Sequence, residues 1–370
     1  MSRGGRNGSP RVLGRRGELA LITGGAGFVG TNLAHRLLRE GRRVRVFDSL
    51  ARRGVERNLE WLAREHEGRV DVEIGDVRDR DALGRALSGA AEVFHFAAQV
   101  AVTTSIESPV VDFDVNLRGT INLLEEVRRL PDPPPLVFTS TNKVYGPLRD
   151  LPLRRDAERW EPVDPHLRAH GLGERRPLDF STPYGCSKGG ADQYVLDYAK
   201  IYDLPATVFR MSCIYGHHQH GNEDQGWVAH FLIRALADEP ITIYGDGAQV
   251  RDILFADDLV EALVRVRDRI GDVAGTPFNI GGGADNSVSL LEVVALIEDV
   301  LGRRPRIRFA EERAGDQRYY VADSRRLRNA IGWRPRVAVE EGVEELARWL
   351  RRPHARPVRR AAAPARAVAS

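Results

Sequence analysis

Six short runs of β-branched and aromatic residues recur between residues 18 and 212, and each is followed by an amphipathic, helix-like segment. They are ELALITG (18–24), RVRVFDS (43–49), VDVEIGD (70–76), EVFHFAA (92–98), PLVFTST (135–141) and ATVFRMS (206–212). Such nearly continuous apolar strands are typical of parallel sheets buried on both faces. The alternation therefore predicts an α/β fold: a Rossmann-type, doubly wound parallel sheet with right-handed crossovers.

The strand and helix rhythm loosens after residue 212. We therefore predict a cofactor-binding Rossmann domain over 18–212, to which a segment near 250–282 returns. Residues 213–249 and 283–350 are expected to form a smaller α/β lobe that binds the substrate. Such a lobe would cap the carboxyl ends of the strands, where open α/β sheets bind their ligands.

The two ends of the chain differ in charge from its body. Residues 1–17 contain five arginines and residues 351–370 contain six, and neither segment contains an acid. Subtracting these eleven charges from the net charge of +3 leaves −8 for residues 18–350. Both ends are rich in Gly, Pro, Ala and Arg, so we expect disordered basic tails that are solvated, with an RNA or membrane-surface anchor as the alternative.

Composition narrows the classes of function. The chain has no apolar run of 18 residues and no apolar leader at its N-terminus, so we expect a cytoplasmic protein without a membrane partner. The acidic body argues against nucleic-acid binding. Cys186 and Cys213 are the two cysteines and are not spaced like metal ligands, so no metal is predicted. The HHQH segment at 217–220 is interpreted as a substrate loop.

The first strand runs into TGGAGFVG, which places Gly24, Gly27 and Gly30 where the strand turns into a helix. Glycines there permit a tight turn and a close approach to a pyrophosphate, and the first helical residues, Phe28 and Val29, offer unpaired N–H groups. The pattern predicts a dinucleotide site, although a purely structural glycine turn is the alternative.

An acid at the end of the second strand indicates which dinucleotide binds. Asp48 can accept hydrogen bonds from ribose hydroxyls and would repel a 2′-phosphate, so we predict NAD as the cofactor. Arg52 and Arg53 keep NADP open as an alternative. The predicted cofactor site is completed by residues after the third and fourth strands, which are Asp76, Val77 and Ala97.

The segment STPYGCSKGG places Tyr184 four residues before Lys188. The chain has only three lysines among 55 basic residues, so a lysine here suggests a need that arginine does not meet. An ammonium group can lower the pKa of a neighbouring phenol and can hydrogen-bond a nicotinamide ribose. Tyr184 and Lys188 are therefore predicted as the catalytic pair, with Thr141, next to Ser140, as the hydroxyl that orients the substrate. The alternative is an ordinary helical turn.

Together these residues resemble the extended short-chain dehydrogenase/reductase superfamily over nearly all of residues 18–350. Within it, the chain is similar to the nucleotide-sugar epimerases, and most of all to their CDP-paratose 2-epimerase branch. The similar stretches include FHFAAQVAVTTSIESP, QVRDIL and FNIGGGADNSVSLLE, and the narrower signals are STNKVYG, YGCSKGGADQYVLDYA and DQGWV.

The resemblance implies a set of substrate contacts. Arg251 of QVRDIL and Arg318 of DQR would clamp the diphosphate, unless each pairs with a nearby acid such as Asp252 or Asp316. Gln225 and Trp227 of DQGWV would hold the base, with a buried core tryptophan as the alternative. Thr103 and Thr104 would contact the sugar or the nicotinamide.

The resemblance also implies a reaction. The family's dehydratases carry an Asp-Glu pair after the catalytic threonine, whereas this chain has Asn142 and Lys143, so dehydration is not expected. We expect a nucleotide-diphosphate-sugar epimerase that inverts carbon 2 through a transient keto sugar. A 4-epimerase and an inactive NAD-binding scaffold are the alternatives. Helices near 112–130 and 184–203 resemble those that pair subunits in this superfamily, which implies a homodimer or homotetramer.

Overall fold

A computed structural model describes residues 18–313 and 315–352. The predicted tails fall outside the described residues, apart from Arg351 and Arg352. The strands, in chain order, are β1 (Leu19–Thr23), β2 (Arg43–Asp48), β3 (Val70–Ile74), β4 (Ala90–His95), β5 (Leu136–Thr141), β6 (Leu153–Asp156), β7 (Arg159–Pro162), β8 (Ala206–Met211), β9 (Cys213–Tyr215), β10 (Ile241–Tyr244), β11 (Val250–Phe255), β12 (Pro277–Ile280), β13 (Ser287–Ser289), β14 (Ile307–Ala310) and β15 (Tyr319–Tyr320).

Helices connect most of these strands. They are α1 (Phe28–Arg39), α2 (Val55–Glu65), α3 (Arg80–Leu87), α4 (Val102–Glu107), α5 (Pro109–Phe113), α6 (Gly119–Arg128), α7 (Pro165–His170), α8 (Thr182–Ile201), α9 (Trp227–Leu236), α10 (Ala256–Asp268), α11 (Ile270–Val273), α12 (Leu290–Leu301), α13 (Arg325–Ile331) and α14 (Val339–Leu350). A π-helical turn at Asp114–Arg118 joins α5 to α6, and a 3₁₀ turn at Asn142–Tyr145 follows β5.

Seven parallel strands form the central sheet, in the order β12, β8, β5, β4, β1, β2, β3. The six strands predicted from the sequence are all present, and β12 adds a seventh beside β8. The order reverses between β1 and β4, so the carboxyl ends of these two neighbouring strands open a crevice between them, as expected for ligand binding in a doubly wound sheet.

Helices cover both faces of the central sheet, which confirms the doubly wound, Rossmann-type fold. On one face, α1, α2 and α10 pack on the sheet through a cluster that includes Leu33, Leu62 and Leu263. On the other face, α3, α6 and α8 pack through a cluster that includes Leu83 and Leu123. Burial on both faces is why these strands are apolar throughout rather than alternating.

A smaller α/β lobe follows, as predicted. Its sheet has β11 at the centre, flanked by β13, β15 and β9, and α9, α12 and α14 enclose its apolar core. A capping box between Ser289 and Glu292 starts α12. The segment near 250–282 contributes to both units, because β11 belongs to the lobe while β12 belongs to the central sheet. The domain limits themselves stay a prediction.

None of the helices in the described part of the chain is both long and apolar enough to cross a membrane.

Candidate active site

The glycine turn after β1 leaves no room for side chains. A β-carbon on Gly24, whose φ is +69°, would lie 2.7 Å from the Ala97 nitrogen, and one on Gly30 would lie 2.4 Å from the Gly24 oxygen. Gly27 is the N-cap of α1, and no side chain among the described residues caps this helix. Its first N–H groups therefore point toward a ligand site, which suits an anionic pyrophosphate.

Two cavities meet at this turn and contain the residues predicted for the cofactor. The first is about 150 Å³ and is lined by Gly24, Gly27, Phe28, Val29 and Gly30 together with Asp48, Ala97, Ser140, Tyr184 and Lys188. The second is about 420 Å³ and is lined by Gly24, Asp48, Asp76, Val77, Ala97 and Thr104. The two adjoining cavities suit an elongated dinucleotide, and the positions of its nicotinamide at Tyr184 and its adenosine at Asp76 stay a prediction.

Asp48 is engaged by the backbone around the glycine turn. Its carboxylate accepts hydrogen bonds from the Ala26 nitrogen at 3.0 Å and the Leu50 nitrogen at 2.9 Å. Burial raises the pKa of Asp48, and these backbone bonds oppose that effect. Arg52 lines the same two cavities, and burial lowers its pKa while the charge of Asp48 opposes this.

Tyr184, Lys188 and Thr141 come together at the carboxyl end of β5. Tyr184 lies in the first turn of α8, Lys188 one turn later, and Thr141 is the last residue of β5. The Thr141 hydroxyl lies close enough to the Tyr184 phenol to affect its pKa, and it donates a 3.3 Å hydrogen bond to the Asn142 side-chain oxygen. The Lys188 ammonium donates a 2.7 Å hydrogen bond to the Thr139 carbonyl and lies 4.2 Å from the centre of the Phe138 ring.

The electrostatics of this pair differ from the sequence-based expectation. Burial raises the pKa of Tyr184 to about 12, the charge of Asp112 adds to this, and the nearby Thr141 hydroxyl opposes it. Burial lowers the pKa of Lys188 to about 7, although the negative charges of Asp192 and Asp112 act to raise it. The protein's own groups therefore do not bring the phenol into the neutral range. A cation bound beside Tyr184 would lower the pKa of the phenol.

A buried polar network supports α8 between Tyr184 and Lys188, and sequence reasoning missed it. Asn116, in the π-helical turn, donates to the Ser187 hydroxyl at 3.0 Å and to Asp112 at 3.1 Å. Ser187 also donates to Asp112, and the Tyr184 nitrogen donates to the Ser105 hydroxyl at 3.2 Å. The spacing of Asp112 and Asn116, one helical turn apart, was the one local signal for this network.

A third cavity, of about 320 Å³, lies between the central sheet and the lobe. Four of the residues predicted for the substrate line it, namely Thr103, Gln225, Trp227 and Arg251. Thr104 lines the second cofactor cavity and Ser140 the first. Gln225 lines all three cavities, so the tight turn at 222–225 lies where the cofactor and substrate regions meet.

Trp227 takes part in the wall of this third cavity. Its ring is partly buried, and its indole nitrogen lies 3.4 Å from the Cys213 sulfur. Thr103 donates a 3.0 Å hydrogen bond to Asp224, which ties α4 to the turn at 222–225. The cavity therefore has an aromatic wall at one side and a polar edge at another, as a nucleotide requires.

Arg251 and Arg318 do not lie together. Arg251 lines the third cavity, where its Nη2 is 2.6 Å from an Asp316 carboxylate oxygen, so the ion-pair alternative is the one observed. Arg318 instead lines a neighbouring cavity, with its guanidinium 5.1 Å from the centre of the Trp160 ring. The two arginines therefore line separate but adjoining cavities in this structure, and a clamp made of both stays a prediction.

Lys143 joins the ion pair of Arg251. Its Nζ lies 3.5 Å from Asp316 and donates a 3.2 Å hydrogen bond to the Gly315 carbonyl. Burial alone would raise the pKa of Asp316, but the charges of Arg251 and Lys143 outweigh it, so the pKa is below its ordinary value. Asp316 is therefore a carboxylate that two cations share.

The segment His217–His220, interpreted as a substrate loop, packs against other parts of the protein, and its contact with a substrate stays a prediction. His217 lies 3.2 Å from Glu345 of α14, and the His218 ring packs 4.1 Å from Trp61 of α2. The His220 ring nitrogen lies 3.2 Å from the Asn58 side-chain oxygen. Aromatic and hydrogen-bonding contacts with α2 and α14 thus hold the segment at the junction of the two units.

A glycine turn, a tyrosine–lysine pair and a flanking nucleotide-sized cavity on a doubly wound sheet define a dinucleotide-dependent, nucleotide-sugar-modifying protein of the short-chain dehydrogenase/reductase type. The sequence matches the GDP-mannose 4,6 dehydratase family over residues 21–346, and the chain belongs to this family. The family includes epimerases as well as dehydratases, as the relatives show.

Two relatives and one solved structure illustrate the match. The chain is 42% identical to a CDP-paratose 2-epimerase of Salmonella typhi, covering 89% of this chain and 98% of the relative. It is 33% identical to a UDP-glucose 4-epimerase of Mycolicibacterium smegmatis, covering 90% and 98%. The structure of a UDP-glucose 4-epimerase of Thermus thermophilus in complex with NAD has a TM-score of 0.74 and 30% identity, covering 90% and 99%. The predicted cofactor, NAD, is confirmed by such solved relatives.

Proposed function

We propose that this protein is an NAD-dependent epimerase that inverts carbon 2 of a nucleotide-diphosphate sugar, with a substrate like CDP-paratose or CDP-tyvelose. The observation that carries the proposal is the position of Tyr184. This residue lines the first cavity, that of the glycine turn, and Gln225 lines both that cavity and the third cavity, which contains Arg251. A sugar hydroxyl at this junction would reach both the phenol and the cofactor.

The chain's own residues would act on the sugar hydroxyl. As the phenolate, Tyr184 would accept its proton, and Thr141, which lies close to the phenol, would hold the same oxygen. A bound NAD would supply reversible hydride transfer, by which the carbon could be oxidised to a ketone and reduced again on its opposite face without net redox change. Lys188 would hydrogen-bond the nicotinamide ribose and keep a positive charge near the phenol. Tyr184 then returns the proton to the inverted centre's oxygen.

Dehydration is disfavoured by the residues after Thr141. The Asn142 side-chain nitrogen donates a 3.3 Å hydrogen bond to Gln317, and Lys143 is held by Asp316 and Gly315. Neither residue provides a carboxyl group that could act as acid or base for the loss of water. The family name therefore does not describe the proposed reaction.

The choice of carbon 2 is supported by the 42% identity to a CDP-paratose 2-epimerase. A 4-epimerase is the second candidate, and the similarity to UDP-glucose 4-epimerases favours it. An inactive NAD-binding scaffold is the third. The intact pair of Tyr184 and Lys188 speaks against it.

The test is a panel of CDP-, GDP- and UDP-sugars incubated with the purified protein, with the inverted carbon located by NMR. We expect inversion at carbon 2 of a CDP-sugar, and inversion only at carbon 4 would contradict the proposal. Tyr184→Phe should abolish turnover while NAD stays bound. Tyr194→Phe is the matched control, because Tyr194 is an exposed residue of the same helix; full activity of Tyr184→Phe would exclude the proposed base.

A further inference from the structure

The turn that follows Thr141 carries a second functional group into the substrate region. Lys143 lies in the 3₁₀ turn at Asn142–Tyr145, and its backbone nitrogen donates a 3.2 Å hydrogen bond to the Thr141 hydroxyl. The predicted substrate-orienting hydroxyl and the Lys143 ammonium therefore belong to one rigid turn at the end of β5. A group bound by the Lys143 ammonium is therefore held at a fixed position relative to the Thr141 hydroxyl and to the sugar oxygen that this hydroxyl is predicted to orient.

The use of lysine at this position is informative. The chain contains only three lysines among its 55 basic residues, and they are Lys143, Lys188 and Lys200. Lys143 lines the third cavity, and burial lowers its pKa while the charge of Asp316 opposes this. Burying an ammonium group costs free energy unless an anion is paired with it. The compact charge of lysine suits a single phosphate oxygen at a position where the planar guanidinium of arginine would not fit.

The third cavity is lined by three cations (Lys143, Arg251 and Arg313) and three acids (Glu223, Asp224 and Asp316), but the charges immediately around Asp316 are unbalanced. Lys143 and Arg251 converge on one carboxylate, Asp316, at 3.5 Å and 2.6 Å respectively. One negative charge thus faces two positive charges. The diphosphate of a nucleotide sugar carries a negative charge on each phosphate, so it matches this pair of cations in number. Arg318, expected to supply the second cation, is held on Trp160 in the neighbouring cavity.

We propose that Lys143 binds the sugar-side phosphate of the substrate, with Arg251 on the other phosphate, and that Asp316 holds both cations until the substrate replaces it. This inference rests on the proposed function, which it makes more specific. In a nucleotide sugar only the anomeric carbon separates carbon 2 from the oxygen that bears this phosphate, whereas carbon 4 lies across the ring. A phosphate fixed by the turn of Thr141 therefore brings the hydroxyl of carbon 2 to Thr141 and Tyr184. Lys143 in this role determines which carbon reacts.

Binding of CDP and of CMP to the NAD-loaded protein, measured by isothermal titration calorimetry, tests the inference. CMP lacks the second phosphate, so the ratio of the two affinities reports on the contact that Lys143 is proposed to make. Lys143→Met should weaken CDP binding by about ten- to a hundredfold and leave CMP binding nearly unchanged. Lys143→Arg should retain part of the CDP preference. Lys200→Met, which alters the exposed lysine at the end of α8, is the control and should match the wild type.

The possible outcomes are distinct. An unchanged ratio of CDP to CMP affinity in a folded Lys143→Met protein would overturn the inference but leave the proposed function standing. An equal loss for both nucleotides would also overturn it, because it would indicate a general disturbance of the cavity. Lys143→Gln provides the same comparison if the Met variant does not fold. A wild-type protein that binds neither CDP nor UDP would contradict the proposed function itself.

Discussion

Arg251 and Asp316 form an ion pair with 2.6 Å between the guanidinium and the carboxylate, inside the cavity proposed for the nucleotide sugar. A bound diphosphate competes with Asp316 for the guanidinium of Arg251. Asp316→Asn removes the competing charge, so we expect CDP to bind about tenfold more tightly at low ionic strength, with a smaller gain at high salt. Titration calorimetry at two salt concentrations measures this.

The control for that variant is Asp197→Asn, which removes the same charge from an exposed position on α8. It should leave CDP affinity unchanged. Weaker CDP binding by Asp316→Asn would mean that Asp316 orders the cations for the ligand rather than competing with it.

Arg251 and Arg318 should contribute unequally to nucleotide binding. Arg251 lines the cavity itself, whereas Arg318 stacks on Trp160 in the adjoining one. We expect Arg251→Met to weaken CDP binding by about a hundredfold and Arg318→Met by less than about fivefold. Equal losses would show that the segment carrying Arg318 rearranges when the ligand binds.

Gly30→Ala should abolish NAD binding. The new methyl group would lie 2.4 Å from the Gly24 carbonyl oxygen, so the turn that faces the pyrophosphate must open. We expect a loss of about 1–3 kcal/mol in the free energy of unfolding as well. Gly271→Ala is the matched control, since a β-carbon there meets no atom of the described residues within 4 Å. Purification of Gly30→Ala with a full complement of NAD would refute the assignment.

Acid should destabilise the protein through its buried histidines. Burial lowers the pKa of His95 to about 3, with the charge of Lys188 adding to the effect, and its ring lies between Thr23 and Thr120. A folded-state pKa below the ordinary 6.5 means that the unfolded chain takes up the proton first, so stability falls as the pH drops below about 6.5. His95 alone accounts for about 2 kcal/mol between pH 7 and pH 5.

Urea unfolding of the wild type and of His95→Gln at these two pH values isolates that contribution. Burial raises the pKa of Asp252 to about 6, so this residue makes the protein more stable, not less, as the pH falls. Because Asp252 is present in both proteins, its effect cancels when the pH dependence of the variant is subtracted from that of the wild type. We expect the pH dependence of the Gln variant to be smaller by about 2 kcal/mol. Equal pH dependence in both proteins would show that His95 is not held neutral.

The large sheet could be predicted from the sequence because its strands are buried on both faces. ELALITG and PLVFTST contain the uninterrupted apolar runs LALI and PLVF. Such runs are typical of strands in a parallel sheet that is buried on both faces. The short strand β12 at Pro277–Ile280 was not predicted from the sequence. Its four residues lie between a helix and a glycine run and carry little periodic signal.

The residues of the candidate site were also within reach of sequence reasoning, because they lie in short local motifs. Tyr184 and Lys188 are one helical turn apart, and the glycine turn is contiguous. Contacts between distant segments were not within reach. The packing of Arg318 on Trp160, and the sharing of Asp316 by Arg251 and Lys143, depend on the folded lobe. The raised pKa of Tyr184 follows from burial, which a motif does not reveal.

The central claim is inversion at carbon 2 by hydride transfer from and back to that carbon. CDP-paratose deuterated at carbon 2, incubated with the protein in ordinary water and followed by NMR, tests it most directly. We predict a product of inverted configuration at carbon 2 that still carries deuterium there, and no product with Tyr184→Phe. Inversion at any other carbon, or replacement of the deuterium by solvent hydrogen, would contradict the account.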